Sequence, residues 1–396
     1  MRQDDLIQIG KQNIMNTYSY FPVVIEKGEG CYLWDVAGKK YLDFVAGIAV
    51  NCLGYKQKEF IDSLYGQLQK LNHCSNLYYN QPQIELADIL TKNSHFNKVF
   101  FCNSGAEAIE ASLKLARKYG KKSHGENCYE IITMNQSFHG RTFGAITATG
   151  QEKYQKDLNP LLPGIIHSPY NDFEALKQKV TDKTCAILIE PIQGEGGIRP
   201  AEREFLHNVR DLCTKNDIVL IYDEVQCGIG RIGKLFGYEA YNIPPDVIAL
   251  AKGLGGGFPI GAMMAVDKVA DSFKPGDHAS TFGGNPLACT AGKVVLGQLL
   301  NNGILKNAEI QGKYLRDQLI DLKQKHNLIV DIRGIGLMQG IELTIPVKSI
   351  VEKCMDKGLL LVGAGEKVLR FVPPLIVNKS EIDEAMSILS NVLNEV

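Results

Sequence analysis

The sequence lacks the features that identify zinc-binding, disulfide-stabilised and membrane-spanning proteins. Its ten cysteines are dispersed, no C-x-x-C occurs, and the closest pair, Cys213 and Cys227, lies fourteen residues apart. Structural zinc is therefore not expected, and scattered cysteines of this kind indicate buried thiols in a reducing compartment. No stretch has the composition of a membrane span, because the long apolar zone around Lys252 is interrupted by glycine, proline and the lysine itself.

An excess of charge of one sign is also absent. The chain has 43 basic and 44 acidic residues, a formal net charge of −1, so no overall field attracts nucleic acid or an anionic membrane. Residues 1–16 contain no apolar h-region and are not rich in Arg and Ser, unlike secretory or organellar targeting segments. We therefore expect a cytoplasmic protein with neither a nucleic-acid nor a membrane partner.

Short apolar runs dominate the middle of this 396-residue chain. They occupy residues 98–103, 130–135, 185–191, 218–224 and 247–252. Nearly all-apolar runs are typical of strands buried on both faces of a parallel sheet, and the helical patterns between them predict an α/β fold with a large, wound, mostly parallel sheet. We predict a large domain over residues 50–290. Residues 1–49 and 291–396, which mix strand and helix patterns, would form a small α+β domain from both chain ends.

Polar residues collect where the predicted strands end, which is where wound sheets bind their ligands. Ser104 is a good helix N-cap, and a helix N-terminus beside Gly105 suits a phosphate. An aromatic, a histidine and an arginine within residues 137–142 suit a flat ligand with an anionic group. Glu195 lies in a glycine-rich turn that leaves its side chain available. Taken alone, the Ser104 cap and the aromatic loop are more typical of an ordinary capped helix and a surface loop, and the glycine-rich turn of Glu195 is also typical of ordinary turns.

Asp223 and Lys252 indicate a specific cofactor when they are considered together. Asp223 ends a buried strand pattern, where an acid is costly unless it is paired, and it can hold the cationic ring nitrogen of pyridoxal phosphate. Lys252 ends the next apolar run. Burial favours its neutral form, a nucleophile that can form a Schiff base with an aldehyde. Lys252 alone is more typical of a solvated strand end, but its combination with Asp223 and the preceding loops favours pyridoxal phosphate.

Other ligand motifs do not fit this sequence. Residues 228–233 match G-x-G-x-x-G, but two acidic residues precede them where a pyrophosphate would be repelled. No Gly-Lys pair is followed by Ser or Thr, which excludes a P-loop, and H-E-x-x-H does not occur, which excludes a zincin.

Six segments together resemble those of a known family. They are NSGAEA at 103–108, SFHGR at 137–141, EPIQGEGG at 190–197, DEVQ at 223–226, AKG at 251–253 and STFGGNP at 280–286. By these motifs the chain resembles the class III pyridoxal-phosphate aminotransferases nearly end to end. Within that class it is most similar to the acetylornithine aminotransferases, on the weaker cues of residues 17–22, 44–51 and 368–374.

The resemblance implies a fold-type I homodimer that binds pyridoxal 5′-phosphate in active sites shared between the subunits. Lys252 would form the Schiff base, and Asp223 would pair with the pyridine nitrogen. The other cofactor contacts would come from Ser104, Gly105, Ala106, Phe138, Glu224, Val225 and Gln226, and from Thr281 of the neighbouring subunit. Substrate contacts would come from Arg141, Glu195, Ser280 and Arg370, and no residue is assigned to a metal.

The implied reaction moves the δ-amino group of N-acetylornithine to 2-oxoglutarate in two halves, giving N-acetylglutamate semialdehyde and glutamate, a step of arginine synthesis. Arg141 would bind the distal or the acetylated portion of the donor. Arg370 would bind the α-carboxylate of glutamate, and Glu195 would pair with Arg370 when the other substrate is bound.

Several alternatives stay open at this stage. Related enzymes that act on N-succinyl-diaminopimelate, ornithine or 4-aminobutyrate would share the cofactor residues. An aminomutase would have little use for the exchange between Glu195 and Arg370. A cofactor-binding regulatory protein would usually bring a DNA-binding segment and a basic patch, and this sequence has neither.

Overall fold

The computed structural model describes residues 1–395. The strands are β1 (Ile25–Glu29), β2 (Tyr32–Asp35), β3 (Lys40–Asp43), β4 (Lys98–Cys102), β5 (Glu130–Met134), β6 (Ile165–Ser168), β7 (Thr184–Ile189), β8 (Ile192–Gln193), β9 (Arg199–Pro200), β10 (Val219–Asp223), β11 (Val247–Leu250), β12 (Gly261–Ala265), β13 (Ile329–Ile335), β14 (Met338–Leu343), β15 (Leu359–Leu360), β16 (Val362–Gly363) and β17 (Val368–Phe371). The helices are α1 (Gln3–Asn13), α2 (Ala46–Ala49), α3 (Lys58–Lys70), α4 (Gln81–Lys92), α5 (Gly105–His124), α6 (Phe143–Ala148), α7 (Phe173–Lys177), α8 (Arg203–Asn216), α9 (Asp267–Ala270), α10 (Pro286–Asn301), α11 (Ile304–Lys325), α12 (Lys348–Asp356) and α13 (Lys379–Leu393).

A seven-stranded sheet forms the centre of the molecule, in the order β4-β12-β11-β10-β7-β5-β6. The pairs from β11 to β6 are all parallel, whereas β12 is antiparallel to both of its neighbours. Every residue of β7, β10 and β11 is buried, as expected for strands covered on both faces. The prediction of a large, wound, mostly parallel sheet is confirmed, although β12 was not among the predicted strands.

Helix α5 shows how the sequence positions the ligand-binding end of this sheet. Ser104 precedes the helix in an extended conformation, and its Oγ accepts a hydrogen bond from the backbone N–H of Glu107 at 3.3 Å. The Glu107 carboxylate accepts in return from the N–H of Asn103 at 2.8 Å. The buried face of α5, which includes Ala108 and Leu115, packs on β7, β11 and β12. The first turn of α5 is therefore fixed beside the end of β4.

Besides the central sheet there are two four-stranded sheets and a two-stranded sheet of β8 and β9. The first has the order β1-β2-β3-β15, and its last strand comes from the C-terminal part of the chain, pairing parallel to β3. The second, β13-β14-β17-β16, is antiparallel throughout. Both ends of the chain thus contribute to one sheet, and the division at residues 50 and 290 stays a prediction.

The helices and the cysteines agree with two expectations from the sequence. Within residues 1–395, no helix is both long and apolar enough to cross a membrane. All ten cysteines are unpaired, and all of them except Cys74 are buried. Buried thiols were expected from their scattered positions in the sequence.

Candidate active site

A cavity of about 360 Å³ lies where the central strands end. Its walls come from the segments that follow β4, β5, β7, β10 and β11. Nine of the predicted site residues line it, namely Ser104, Gly105, Ala106, Phe138, Glu195, Asp223, Val225, Gln226 and Lys252. The structure therefore brings together residues that are up to 148 positions apart in the sequence, from 104 to 252.

Lys252 lies just beyond its strand, which corrects the prediction that it ends the strand. Strand β11 ends at Leu250, and Lys252 begins a 3₁₀ turn, Lys252–Gly255, with a φ of 41°. This left-handed conformation is uncommon for a residue with a side chain and is typical of a functional constraint. Burial lowers the pKa of Lys252, and the Glu195 carboxylate partly offsets this effect. A lowered pKa increases the fraction of neutral, nucleophilic amine.

Asp223 is held by two hydrogen bonds at the end of β10. Its side chain is only 5% exposed, its Oδ2 lies 2.8 Å from Nδ1 of His139, and its Oδ1 accepts from the N–H of Val225 at 3.0 Å. The other ring nitrogen of His139 lies 3.1 Å from Oγ1 of Thr133. The imidazole is thus fixed from both sides and fixes the carboxylate in turn. Asp223 satisfies the condition that a buried acid be paired.

Glu190 is a second buried acid in the cavity, and it was not among the predicted site residues. Its carboxylate accepts from the N–H of Phe138 at 3.0 Å and from the N–H of Gly194 at 3.3 Å. Burial raises the pKa of Glu190 well above its ordinary value, and nearby Asp223 raises it further. Glu190 joins the loop of Phe138 to the loop that carries Glu195.

The sequence contained a signal for both Glu190 and His139, which were not among the predicted site residues. Glu190 directly follows the run of β7, much as Asp223 follows the apolar residues of β10 as the last residue of that strand. His139 is the histidine of the pattern within residues 137–142 that was predicted to suit a flat ligand, although no role was assigned to it. The hydrogen bond between His139 and Asp223 joins positions 84 residues apart, so that only the folded sheet reveals it.

The first turn of α5 offers a site for an anion. Residues Ser104, Gly105 and Ala106 line the cavity at the helix N-terminus, where free backbone N–H groups and the helix dipole favour negative charge. A Cβ on Gly105 would lie 2.8 Å from a methyl group of Val225, so glycine is required for this close approach. The same valine lines the cavity beside Asp223.

Arg370 and Glu195 form an ion pair at the edge of the cavity. Nη1 of Arg370 lies 2.5 Å from Oε1 of Glu195 and donates to Oε1 of Gln226 at 3.1 Å. The Arg370 side chain is 1% exposed, and that of Glu195 is 22% exposed. Although burial opposes ionisation of Glu195, the guanidinium outweighs it and lowers the pKa of this carboxyl. The pair is charged and is available at the cavity edge.

Five predicted site residues do not line this cavity, namely Arg370, which contacts the lining residues Glu195 and Gln226, and four others. The Glu224 carboxylate is buried and accepts from the N–H groups of Gly237 and Tyr238, and burial raises its pKa to about 8. Ser280 and Thr281 line a separate groove, although Oγ of Ser280 accepts from the Asn103 amide at 3.2 Å. Arg141 is exposed at the start of α6.

Comparison with known proteins identifies the family. The family model described as aminotransferase class III matches residues 14–393. The chain belongs to the class III aminotransferases. Members of this class are pyridoxal-phosphate enzymes of fold type I, so the cofactor of this aminotransferase is pyridoxal 5′-phosphate.

Relatives and solved structures agree with this assignment. An acetylornithine aminotransferase of Caldanaerobacter subterraneus subsp. tengcongensis is 54% identical over 392 residues, covering 99% of this chain and all of the relative. The ornithine aminotransferase of Toxoplasma gondii ME49 has a TM-score of 0.96 at 31% identity, covering 100% of this chain and 96% of that one. The acetylornithine aminotransferase of Elizabethkingia anophelis has a TM-score of 0.88 at 33% identity, with full coverage of both chains.

The residues around the cavity fit pyridoxal phosphate. The cofactor has an aldehyde, a basic ring nitrogen, a flat ring and a phosphate. The cavity offers Lys252 with its lowered pKa, the buried Asp223, the Phe138 ring and the first turn of α5. Each part of the cofactor therefore has a chemically matched group on the cavity wall.

Proposed function

We propose that this aminotransferase moves the δ-amino group of N2-acetyl-L-ornithine to 2-oxoglutarate and so serves arginine synthesis. The observation that carries the proposal is the ion pair of Arg370 and Glu195 beside Lys252. An enzyme that alternates between a terminal amine and an α-amino acid needs an arginine for one substrate and a means to neutralise it for the other. Relatives named acetylornithine aminotransferase, which are 46–54% identical to the chain, support this choice of donor.

Lys252 and Asp223 would do the central chemistry. When bound, pyridoxal phosphate supplies the electron sink that amino-group transfer requires. Lys252 Nζ would act as the nucleophile toward the cofactor aldehyde, and once released it would take a proton from the donor carbon and return it elsewhere. Asp223 would stabilise a protonated ring nitrogen, because its carboxylate is buried and oriented by His139.

Arg370 and Glu195 would exchange partners between the two halves. With glutamate or 2-oxoglutarate bound, the guanidinium would hold the α-carboxylate through two parallel hydrogen bonds, a geometry that favours arginine. With the terminal-amine donor bound, Glu195 would pair with Arg370 as it does in this structure. The exposed fraction of Glu195 gives its side chain the room that such a movement needs.

We also propose that a second copy of the chain completes the site. The groove that contains Ser280 and Thr281 is bordered by large exposed side chains, among them Leu77 at 86% and Tyr79 at 93% exposure. Exposed apolar surface of this kind marks an interface. In such a dimer Thr281 would reach the phosphate site of the partner. Sedimentation of the purified protein as a monomer would contradict this proposal.

Turnover with a panel of donors tests the proposed activity. Purified holoenzyme is given N-acetylornithine, N-succinyl-diaminopimelate, ornithine or 4-aminobutyrate, each with 2-oxoglutarate, and glutamate formation is measured. We expect kcat/KM to be highest for N-acetylornithine. A higher kcat/KM for any other donor would reassign the substrate within the family, and no glutamate from any donor would contradict the proposed acceptor.

A further inference from the structure

Arg141 presents a free guanidinium near the cavity. It follows Phe138 and Gly140, both of which line the cavity, and its own side chain is exposed. Within residues 1–395, the described contacts of its guanidinium are with two aromatic rings, Tyr154 at 4.2 Å and Phe138 at 5.5 Å from the ring centroids. No carboxylate of the described chain neutralises it, and its N–H groups remain available to an anion.

The backbone beside Arg141 is fixed by a glutamate on α5. One oxygen of Glu110 accepts from Oγ1 of Thr142 at 2.5 Å, from the N–H of Gly144 at 2.8 Å and from the N–H of Ala145 at 3.1 Å. These bonds anchor the start of α6 to α5. The remaining freedom at Arg141 is that of its long side chain, and ordering a side chain of this length costs rotamer entropy.

The Tyr154 ring is placed to limit that freedom. It is half-buried in the short turn Glu152–Tyr154, and it meets the Phe138 ring edge-on, with centroids 5.7 Å apart and planes at 80°. The Tyr154 hydroxyl forms no hydrogen bond with the described residues, so the contacts of this side chain are those of its ring. The ammonium of Lys153, which is exposed, lies 4.7 Å from the same ring. Tyr154 thus connects the Arg141 guanidinium to the aromatic residue on the cavity wall.

We infer that Tyr154 is a positioning residue that sets donor specificity, because its ring holds the Arg141 guanidinium with its N–H edge free for a carboxylate on the donor. The inference rests on the proposed function and deepens it. A guanidinium that lies over an aromatic face keeps the N–H groups of its edge free, so that they are open to a bidentate partner. Donors that carry a carboxylate distant from the reacting amine are bound more tightly because of this arrangement, whereas donors without such a carboxylate are not.

A matched pair of donors tests the inference. N-acetylornithine and N-acetylputrescine have the same reacting amine and the same acetyl group, but the second lacks the carboxylate. Steady-state kinetics of the holoenzyme are measured for wild type, Tyr154→Leu and Tyr154→Phe, with Arg141→Ala as a reference. We expect Tyr154→Leu to raise KM for N-acetylornithine about fivefold, the size of an exposed cation–π contact, with kcat unchanged. Tyr154→Phe keeps the ring and is expected to retain the wild-type KM.

The outcomes separate the inference from the proposed function. If wild type does not use N-acetylornithine, the proposed donor is wrong, and the variants are compared on whichever carboxylate-bearing donor is used. If wild type uses it and Tyr154→Leu keeps the wild-type KM, the inference is wrong. Equal losses with both donors would also overturn it, because they would show that Tyr154 supports Phe138 or the fold rather than the Arg141 guanidinium. A rise in KM of Tyr154→Leu that is confined to N-acetylornithine, and that Arg141→Ala also shows, would support the inference.

Discussion

Replacing Arg370 by alanine tests the partner exchange at the cavity edge most directly. The guanidinium donates to Glu195 and Gln226, and through Nη2 to the carbonyl of Gly363 at 3.4 Å. In the glutamate half-reaction, the variant would lose the group that holds the α-carboxylate. In the donor half-reaction, it would lose a group that Glu195 already neutralises. The two half-reactions are therefore expected to respond differently.

The size of the effect follows from the burial of the pair. The Arg370 side chain is 1% exposed, so its bonds to a substrate carboxylate would form largely out of contact with water. Hydrogen bonds to charged groups contribute about 1.5–3 kcal/mol each, so the loss of even one of the two bonds to the carboxylate lowers kcat/KM about 10- to 150-fold, and the variant should lose at least this much. The donor half should lose less than about threefold, since the 22% exposed Glu195 carboxylate left behind can be hydrated.

Single-turnover measurements separate the two halves. The holoenzyme is mixed with glutamate alone or with N-acetylornithine alone, and the change in cofactor absorbance gives each rate constant. Arg370→Lys keeps the charge but not the planar fork, and we expect it to recover little of the glutamate half. Arg370→Ala combined with Glu195→Gln checks that any loss in the donor half comes from the unpaired carboxylate. Equal losses in the two halves of Arg370→Ala would refute the exchange.

Two other changes probe Lys252, which lines the cavity, and the buried Glu224, which does not. Lys252→Ala is expected to abolish turnover and the absorbance of the lysine-bound cofactor, and normal turnover in that variant would exclude Lys252 as the catalytic amine. Glu224 has a pKa raised by burial to about 8, above its ordinary 4.5, so between these values the folded chain holds a proton that the unfolded chain has lost. Its contribution to stability therefore decreases as pH rises through this range, by at most about 1.4 kcal/mol per pH unit. Urea unfolding of Glu224→Gln should show a shallower decrease than wild type, and an identical pH dependence would contradict this account.

The sequence patterns predicted the central sheet well because its strands are buried on both faces. The runs at 98–103, 130–135 and 218–224 correspond to β4, β5 and β10 to within about two residues. Strand β12 was missed because its sequence, GAMMA, has small residues and follows a glycine-rich turn, so that its length and composition do not resemble a strand. The end of β11 was misplaced because the apolar run continues through Ala251, whose backbone has already left the strand conformation.

The site was harder to predict than the sheet because its contacts are long-range. Capping of α5 by Ser104 is local and could be derived from four consecutive residues. The pair of Arg370 and Glu195 joins positions 175 apart, and before the fold was known it followed from family resemblance alone. The ring of Tyr154 under Arg141 had no sequence signal, since an aromatic residue in a polar surface turn is common. Local chemistry is thus readable from the chain, whereas pairing across the sheet requires the fold.

The three acids of the cavity differ in environment, and this difference assigns their roles. Glu190 is buried beside Asp223, and burial together with that neighbouring carboxylate raises its pKa, although two backbone N–H groups bind it. Glu195 is neutralised by Arg370. Asp223 has no arginine partner among the described residues, and its carboxylate is held by two hydrogen bonds, from His139 and from the N–H of Val225. Environments that separate like groups in this way assign acid and base roles within one site. Asp223 is therefore the acid of the three whose carboxylate is oriented by a histidine, and it is the group proposed to stabilise a protonated pyridine nitrogen.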